Sequence, residues 1–248
     1  MIECGILPEY FDHDSSEEKI WAKFSDILLA KSLNYLGIKS KVLGARGNSA
    51  DVFGETDKYS LVGDAKTFRL SRTAKNQKDF KVSALDSWRQ SNNYAILVAP
   101  LSQYPNTKSR IYSQAITKNV TLLSYTHLHF LLDFYEEGQN LQSIWETGRN
   151  LATSNTSEHQ NSVKYWAALD EVVCIVLGQS LDKLKEYKKL EIEKTIAIGN
   201  EGINFWKDKI NSFYHLNKDE AIKLLIKSEK IEAKIKTIEK AIKIKIVL

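Results

Sequence analysis

The sequence predicts an α/β fold: a mixed central sheet flanked by helices, followed by a helical C-terminal region. Three observations carry this. β-type runs and helix-compatible stretches follow one another in the order α-β-β-β-α-β-α-β-α. The fourth strand, YAILVA at 94–99, is apolar throughout, as expected of a strand buried in a sheet with helices on both faces. From about residue 163 onward there is no proline, and the chain reads as helices rich in Lys, Ile and Leu.

Residues 15–36 read as the first helix. Ser15 and Glu18 have capping-box spacing, Ile20, Phe24, Ile27 and Leu28 recur on one face, and Gly37 is a stop signal. Strands follow at 38–43, 50–53 (ADVF) and 59–65 (YSLVGDA), separated by glycine-containing turns. Residues 72–91 are polar and helix-compatible. The strand at 94–99 ends at Pro100, a helix covers 108–118, VTLLS at 120–124 is the last strand, and an aromatic helix follows. A meander followed by a crossover helix and a further strand requires a mixed sheet. The polar, non-periodic run TSNTSEHQNS at 153–162 reads as a loop or hinge. It divides the chain into a core at 1–150 and a helical region at 151–248, packed together as one unit.

The bulk numbers are those of a globular protein. The chain has 248 residues, 43% hydrophobic and 10% aromatic, enough for a substantial core. Two cysteines, Cys4 and Cys174, make no disulfide framework, and reduced cytoplasmic thiols are expected. The first residues, MIECGILPEYFDHD, lack the basic segment and apolar run of a secretion signal. No apolar run is long enough to span a membrane. With 35 basic and 31 acidic residues the net charge is only +4, so the distribution matters more than the total. Residues 61–82 alone hold Lys66, Arg69, Arg72, Lys75, Lys78 and Lys81 against Asp64 and Asp79, six minus two, or +4.

That stretch opens at a strand end. Side chains alternate along a strand, so Asp64 and Lys66 project from one face. A turn between ADVF and YSLVGDA would bring Asp51 to the same place. Two acids and a lysine then converge. Carboxylates of this kind hold Mg²⁺ through hard oxygen ligands, the ion polarises a phosphate and activates water, and a lysine orients the nucleophile and stabilises phosphate charge. The pattern Asp-x-Lys alone is more often a surface ion pair. Two acids twelve residues apart on consecutive strands, inside this element order, are more specific. The second copy of the pattern, Asp79 and Lys81, follows a polar stretch instead of an apolar strand.

The basic block has the residue types of a DNA reader. Arg69, Arg72 and Lys75 suit phosphates. Asn76 suits adenine N6 and N7, Lys78 or Lys81 guanine O6 and N7, and Asp79 cytosine N4. The plain alternative is a solvated basic helix; proximity to Lys66 favours the reader.

Asp51…Asp64-Ala65-Lys66 resembles the active-site motif of the PD-(D/E)xK nucleases. More narrowly, RGNSADV at 46–52 and DAKTFRLSRTAKNQKDFKV at 64–82 resemble the HindIII-type restriction endonucleases, and the likeness extends from GILPE at 5–9 through EEKIWAKFSDILLAK at 17–31 and YAILVAP at 94–100 to DEAIKLL at 219–225. The resemblance implies a PD-(D/E)xK restriction-endonuclease core and a Mg²⁺-dependent homodimer, with two ions per site. It also implies cleavage of double-stranded DNA at the palindrome AAGCTT after the first A, leaving four-base 5′ overhangs. A DNA adenine methyltransferase is then the functional partner that protects the host's own sites. Catalysis falls to Asp51, Asp64 and Lys66. Two rival readings are a structure-specific repair or recombination nuclease on the same core and a non-catalytic DNA-binding module; intact Asp51, Asp64 and Lys66 argue against the second.

Weaker candidates remain. Glu18 on the first helix is a possible metal ligand, with helix capping as the plain alternative. His127 and His129 lie two apart but lack nearby cysteines or acids to complete a site. His13, His159 and His215 are isolated. Trp88, Trp145, Trp166 and Trp206 read as core or interface residues. The lysines of 183–245 are interleaved with glutamate, which makes a solvated helix face the default.

Overall fold

The computed structural model describes residues 1–44, 49–72, 77–105, 109–153 and 162–242. In chain order its elements are α1 (Ser16–Tyr35), β1 (Lys39–Val42), β2 (Val52–Glu55), β3 (Ser60–Ala65), α2 (Gln77–Phe80), α3 (Val82–Arg89), β4 (Tyr94–Ala99), α4 (Arg110–Lys118), β5 (Val120–Ser124), α5 (Tyr125–Phe134), α6 (Gln142–Trp145), α7 (Thr147–Thr153), α8 (Ser162–Leu177), α9 (Leu181–Tyr214), α10 (Lys218–Ser228) and α11 (Ile231–Ile242). Two compact units are present, Met1–Gly202 and Ile203–Leu248.

The strands form one five-stranded sheet in the order β1-β2-β3-β4-β5. β1, β2 and β3 pair antiparallel; β3, β4 and β5 pair parallel. This is the mixed sheet that the meander and crossover imply. α1 packs against β1, β2 and β3, α3 against β3 and β4, and α4 and α5 against β5. All six residues of β4 are buried, as its uninterrupted apolar run requires. Asp64 stands opposite Leu97 near the carboxyl ends of the parallel strands, and the Lys66 N–H extends the ladder by donating to Val98 O at 2.7 Å. In α/β sheets that edge is where ligands bind. Among the described residues no helix is long and apolar enough to cross a membrane.

Local chemistry sets the element ends. Ser15 Oγ accepts from Glu18 N–H at 3.2 Å and starts α1, and Gly37, at φ +76°, ends it. Ser109 and Ser124 cap α4 and α5 in the same way. The expected helical stretch at 72–91 is broken within its described part: Lys81 is left-handed (φ 49°, ψ 32°) and separates α2 from α3. That kink lets Phe80 bury beneath Phe68 and Tyr104.

The α1 face differs from the one its apolar periodicity marks. Ile20, Phe24 and Ile27 are 68%, 47% and 39% exposed, while Ser25, Asp26, Leu29, Ala30, Ser32 and Leu33 are buried. The cause is close approach. Small residues flank the two leucines, and β3 offers Gly63, where a Cβ would lie 3.1 Å from Leu29 Cδ2. A helix presenting Phe24 and Ile27 could not sit as near. The rotation carries Asp26 inward.

His127 and His129 are helical, and each finds an acid: Asp170 for His127 and Asp133 for His129. His127 is fully buried in α5. Its Nδ1 accepts from Ser124 N–H at 3.2 Å, so Nε2–H donates to Asp170 at 2.8 Å, and Lys188 bonds the other Asp170 oxygen at 2.5 Å. Burial holds the imidazole below its ordinary pKa, hence neutral. Its folded pKa is depressed, so its contribution to stability is full above about pH 6.5 and is lost as pH falls below that. His127→Ala should cost about 2–4 kcal/mol, from the cavity and the unsatisfied Ser124 and Asp170 groups. Urea denaturation at pH 8 checks this; a loss under about 0.5 kcal/mol would mean the network is dispensable.

Candidate active site

Asp64 is 1% exposed, and its carboxylate faces the Lys66 ammonium at 2.5 Å. Strand alternation puts both on one side, as expected from residues two apart. No other polar group among the described residues satisfies the Asp64 oxygens. Burial raises its pKa, Lys66 opposes that, Asp51 reinforces it, and Lys81 lowers it. Asp51 is half-buried at the start of β2; its carbonyl accepts from Leu43 N–H at 2.8 Å, which fixes the entry to the strand.

A third acid joins them. Oxygens of Asp26, Asp51 and Asp64 lie within 4.8 Å of one another. Asp26 is pushed up to about pKa 7 by burial first, then by Asp51 and Asp64, with Lys23 and Lys66 opposing. The nearer of these lysines, Lys23, is 3.7 Å from Asp26. Three carboxylates this close repel unless a cation or a proton is present. They offer hard oxygen ligands, and Asp64 has coordination to spare; this donor set fits Mg²⁺.

Glu18 is not brought to this cluster. It sits in the first turn of α1, accepts from Asp14 N–H at 2.8 Å and pairs with Arg69 at 3.4 Å. It precedes Asp26 by eight residues, more than two helical turns. Asp26 occupies the place on α1 that the sequence alone assigns to Glu18. The one trace of it in the sequence is faint: Asp26, Leu29, Ala30 and Leu33 follow i, i+3, i+4, i+7, but the stripe of Ile20, Phe24 and Ile27 is the more apolar.

The basic residues divide. Arg69 is committed inside the protein, donating to Phe11 O at 2.8 Å, Asp12 O at 3.3 Å and Glu18. Arg72 ion-pairs with Asp79 and lies 5.2 Å from the centre of the Phe68 ring. Lys81 is exposed, 5.9 Å from the centre of the Trp88 ring, close enough to the acids for its charge to act on Asp64. Lys75 and Asn76 lie outside the described residues, as does the side chain of Lys78.

Buried acids and a lysine at the carboxyl edge of parallel strands, beside a basic segment, are the parts of a metal-dependent phosphodiesterase. Residues 1–242 match the family model described as HindIII restriction endonuclease. The chain belongs to the HindIII restriction endonuclease family. It is 40% identical over 250 residues to the Type II restriction enzyme HindIII of Haemophilus influenzae (strain ATCC 51907 / DSM 11121 / KW20 / Rd), an alignment covering 96% of this chain and 81% of that relative. Membership in the HindIII family makes it a type II restriction endonuclease, a site-specific deoxyribonuclease. The fold agrees: the sheet and flanking helices are those of a restriction-endonuclease core.

Proposed function

We propose that this enzyme hydrolyses double-stranded DNA at AAGCTT after the first A, as a Mg²⁺-dependent homodimer, leaving four-base 5′ overhangs with 5′-phosphate and 3′-hydroxyl ends. The observation that carries the chemistry is the convergence of Asp26, Asp51 and Asp64 on one point beside Lys66. The target sequence rests on the likeness to HindIII. A DNA adenine methyltransferase recognising the same palindrome would be its functional partner.

Asp26, Asp51 and Asp64 would hold the metal, two ions per site. When bound, Mg²⁺ supplies charge for the phosphate in its transition state and for the leaving 3′ oxygen. Lys66 orients the attacking water and meets the negative charge that builds on the phosphate. The sheet edge keeps these groups rigid: Asp64 is locked in the β3–β4 ladder, and Lys66 is held by its bond to Val98. Arg72 and Lys75 contact phosphates, Lys78 donates to guanine O6 and N7, Asn76 and Asp79 read adenine and cytosine, and in the absence of DNA Asp79 is held by Arg72. Arg69 positions the N-terminal segment through Phe11 and Asp12.

Lys81 reaches the acids' side of this surface, so it should serve affinity. Lys81→Ala should weaken cognate and scrambled duplexes alike. It should also flatten the slope of log affinity against log salt by about 0.9 for each phosphate that Lys81 neutralises. Duplex titrations in Ca²⁺ at several salt concentrations check it; an unchanged slope would take Lys81 off the phosphates.

The whole reading is tested by digesting a plasmid of known sequence in Mg²⁺ and sequencing the ends. Discrete fragments with ends in AAGCTT are expected. Discrete ends at another sequence would overturn the target, and a smear without discrete ends would overturn sequence-specific cleavage.

A further inference from the structure

Lys66 lies one residue beyond β3, where the ladder with β4 ends. Its N–H donates to Val98 O at 2.7 Å. Its carbonyl is met by a side chain: Tyr125 Oη donates to it at 3.2 Å. Tyr125 is fully buried and opens α5, directly after the Ser124 cap at the end of β5. Its ring lies flat against the N-terminal segment. A Cβ on Gly5 would stand 2.5 Å from Tyr125 Cδ2 and 2.8 Å from Pro100 Cγ, so only glycine allows this approach. Gly5 in turn accepts from Phe68 N–H at 3.2 Å, two residues past Lys66. Ser25, the neighbour of Asp26 on α1, stands beside the same phenol. One tyrosine therefore joins the end of β3, the GILPE segment and the helix that carries the third acid.

We infer that Tyr125 is a positioning residue for cleavage: by anchoring the Lys66 carbonyl it holds the Lys66 ammonium where it serves the reaction. This rests on the role proposed for Lys66 above and names the group that sets it. A lysine ammonium sits at the end of a flexible stem, so its place is decided first by where the backbone points Cβ. With the N–H bonded to Val98 and the carbonyl bonded to Tyr125, the peptide planes on both sides of the Lys66 Cα are held. That direction delivers the ammonium to Asp64 at 2.5 Å. Phenylalanine would keep the ring against Gly5 and remove only the donor. The carbonyl would then be left to turn in search of another partner. A shift of about 1 Å in a catalytic group can cost on the order of a hundredfold in rate. A tyrosine that merely packed would lose no rate on this change, because the packing ring remains.

The test is a double-mutant cycle read by single-turnover cleavage in Mg²⁺ with saturating enzyme, beside affinity in Ca²⁺ and thermal melts. Tyr125→Phe should cut about ten- to a hundredfold more slowly, with DNA affinity within about threefold of wild type and only a small change in melting temperature. In a Lys66→Ala background the same change should alter the residual rate less than about twofold, because the group that Tyr125 positions is gone. Tyr125→Phe that cuts within about twofold of wild type would overturn this inference and leave the role of Lys66 standing. An equal loss of rate in both backgrounds would also overturn it, since Tyr125 would then act on something other than Lys66. Lys66→Ala that cuts within about tenfold of wild type would overturn the role of Lys66, and this inference with it.

Discussion

Asp64→Asn is expected to lower the single-turnover cleavage rate at least about a thousandfold while leaving affinity for cognate DNA in Ca²⁺ within about tenfold. The substitution keeps the shape of the side chain and removes its charge and one hard ligand. Asp64 stands in the β3–β4 ladder at 1% exposure, so the sheet fixes its place. Metal assistance is worth several kcal/mol, and about 4 kcal/mol is already a thousandfold. On the proposed reading DNA affinity comes from lysines, arginines and base contacts elsewhere, which is the reason to expect an asymmetry between binding and rate. A variant that still cuts at more than about a tenth of the wild-type rate in Mg²⁺ would remove Asp64 from the chemistry.

The sheet was legible because its strands are dictated locally. YAILVA and VTLLS can hardly be anything but buried strands, and the meander of 38–65 is punctuated by glycine. Asp64 and Lys66 were legible for the same reason: two residues apart on a strand means one face, whatever the rest of the fold does. What could not be read was rotation. Ile20, Phe24 and Ile27 make a better apolar stripe than Ser25, Asp26, Leu29 and Ala30. The choice between them depends on how near the helix must come to Gly63, a tertiary fact. Since α1 carries the third acid, the same rotation decides whether Glu18 or Asp26 meets Asp51 and Asp64. The left-handed turn at Lys81 was hidden likewise, because a lysine gives no sign of positive φ. The pairing of Arg72 with Asp79 could not be foreseen from residues seven apart in the sequence.

The rotation has a measurable cost, and Asp26→Asn should expose it. In the metal-free protein Asp26 is pushed from an ordinary 3.8 up to about 7. A raised carboxyl pKa means that the folded state binds more protons than the unfolded one between pH 4 and 7. Stability therefore falls as pH rises through that window, and above pH 7 the full penalty of ionising Asp26 is present. That penalty is on the order of 4 kcal/mol as an upper bound. Asparagine carries no charge, so Asp26→Asn should raise the metal-free melting temperature at pH 8 by about 5 °C or more, given roughly 2–4 °C per kcal/mol for a chain of this size. The gain should shrink to nothing near pH 4, where the native carboxyl is protonated anyway. Cleavage in Mg²⁺ should fall at least about a hundredfold in the same variant, because one of three ligands is gone. Thermal melts in chelator at pH 4 and 8, set beside single-turnover rates, give both halves. A variant that is less stable than wild type at pH 8, or equally active, would mean that Asp26 is an ordinary buried acid and that the metal is held without it. Stability and activity are expected to move in opposite directions because, on the proposed reading, the three acids are gathered for a cation: in its absence their charges oppose one another, and in its presence each would be a ligand.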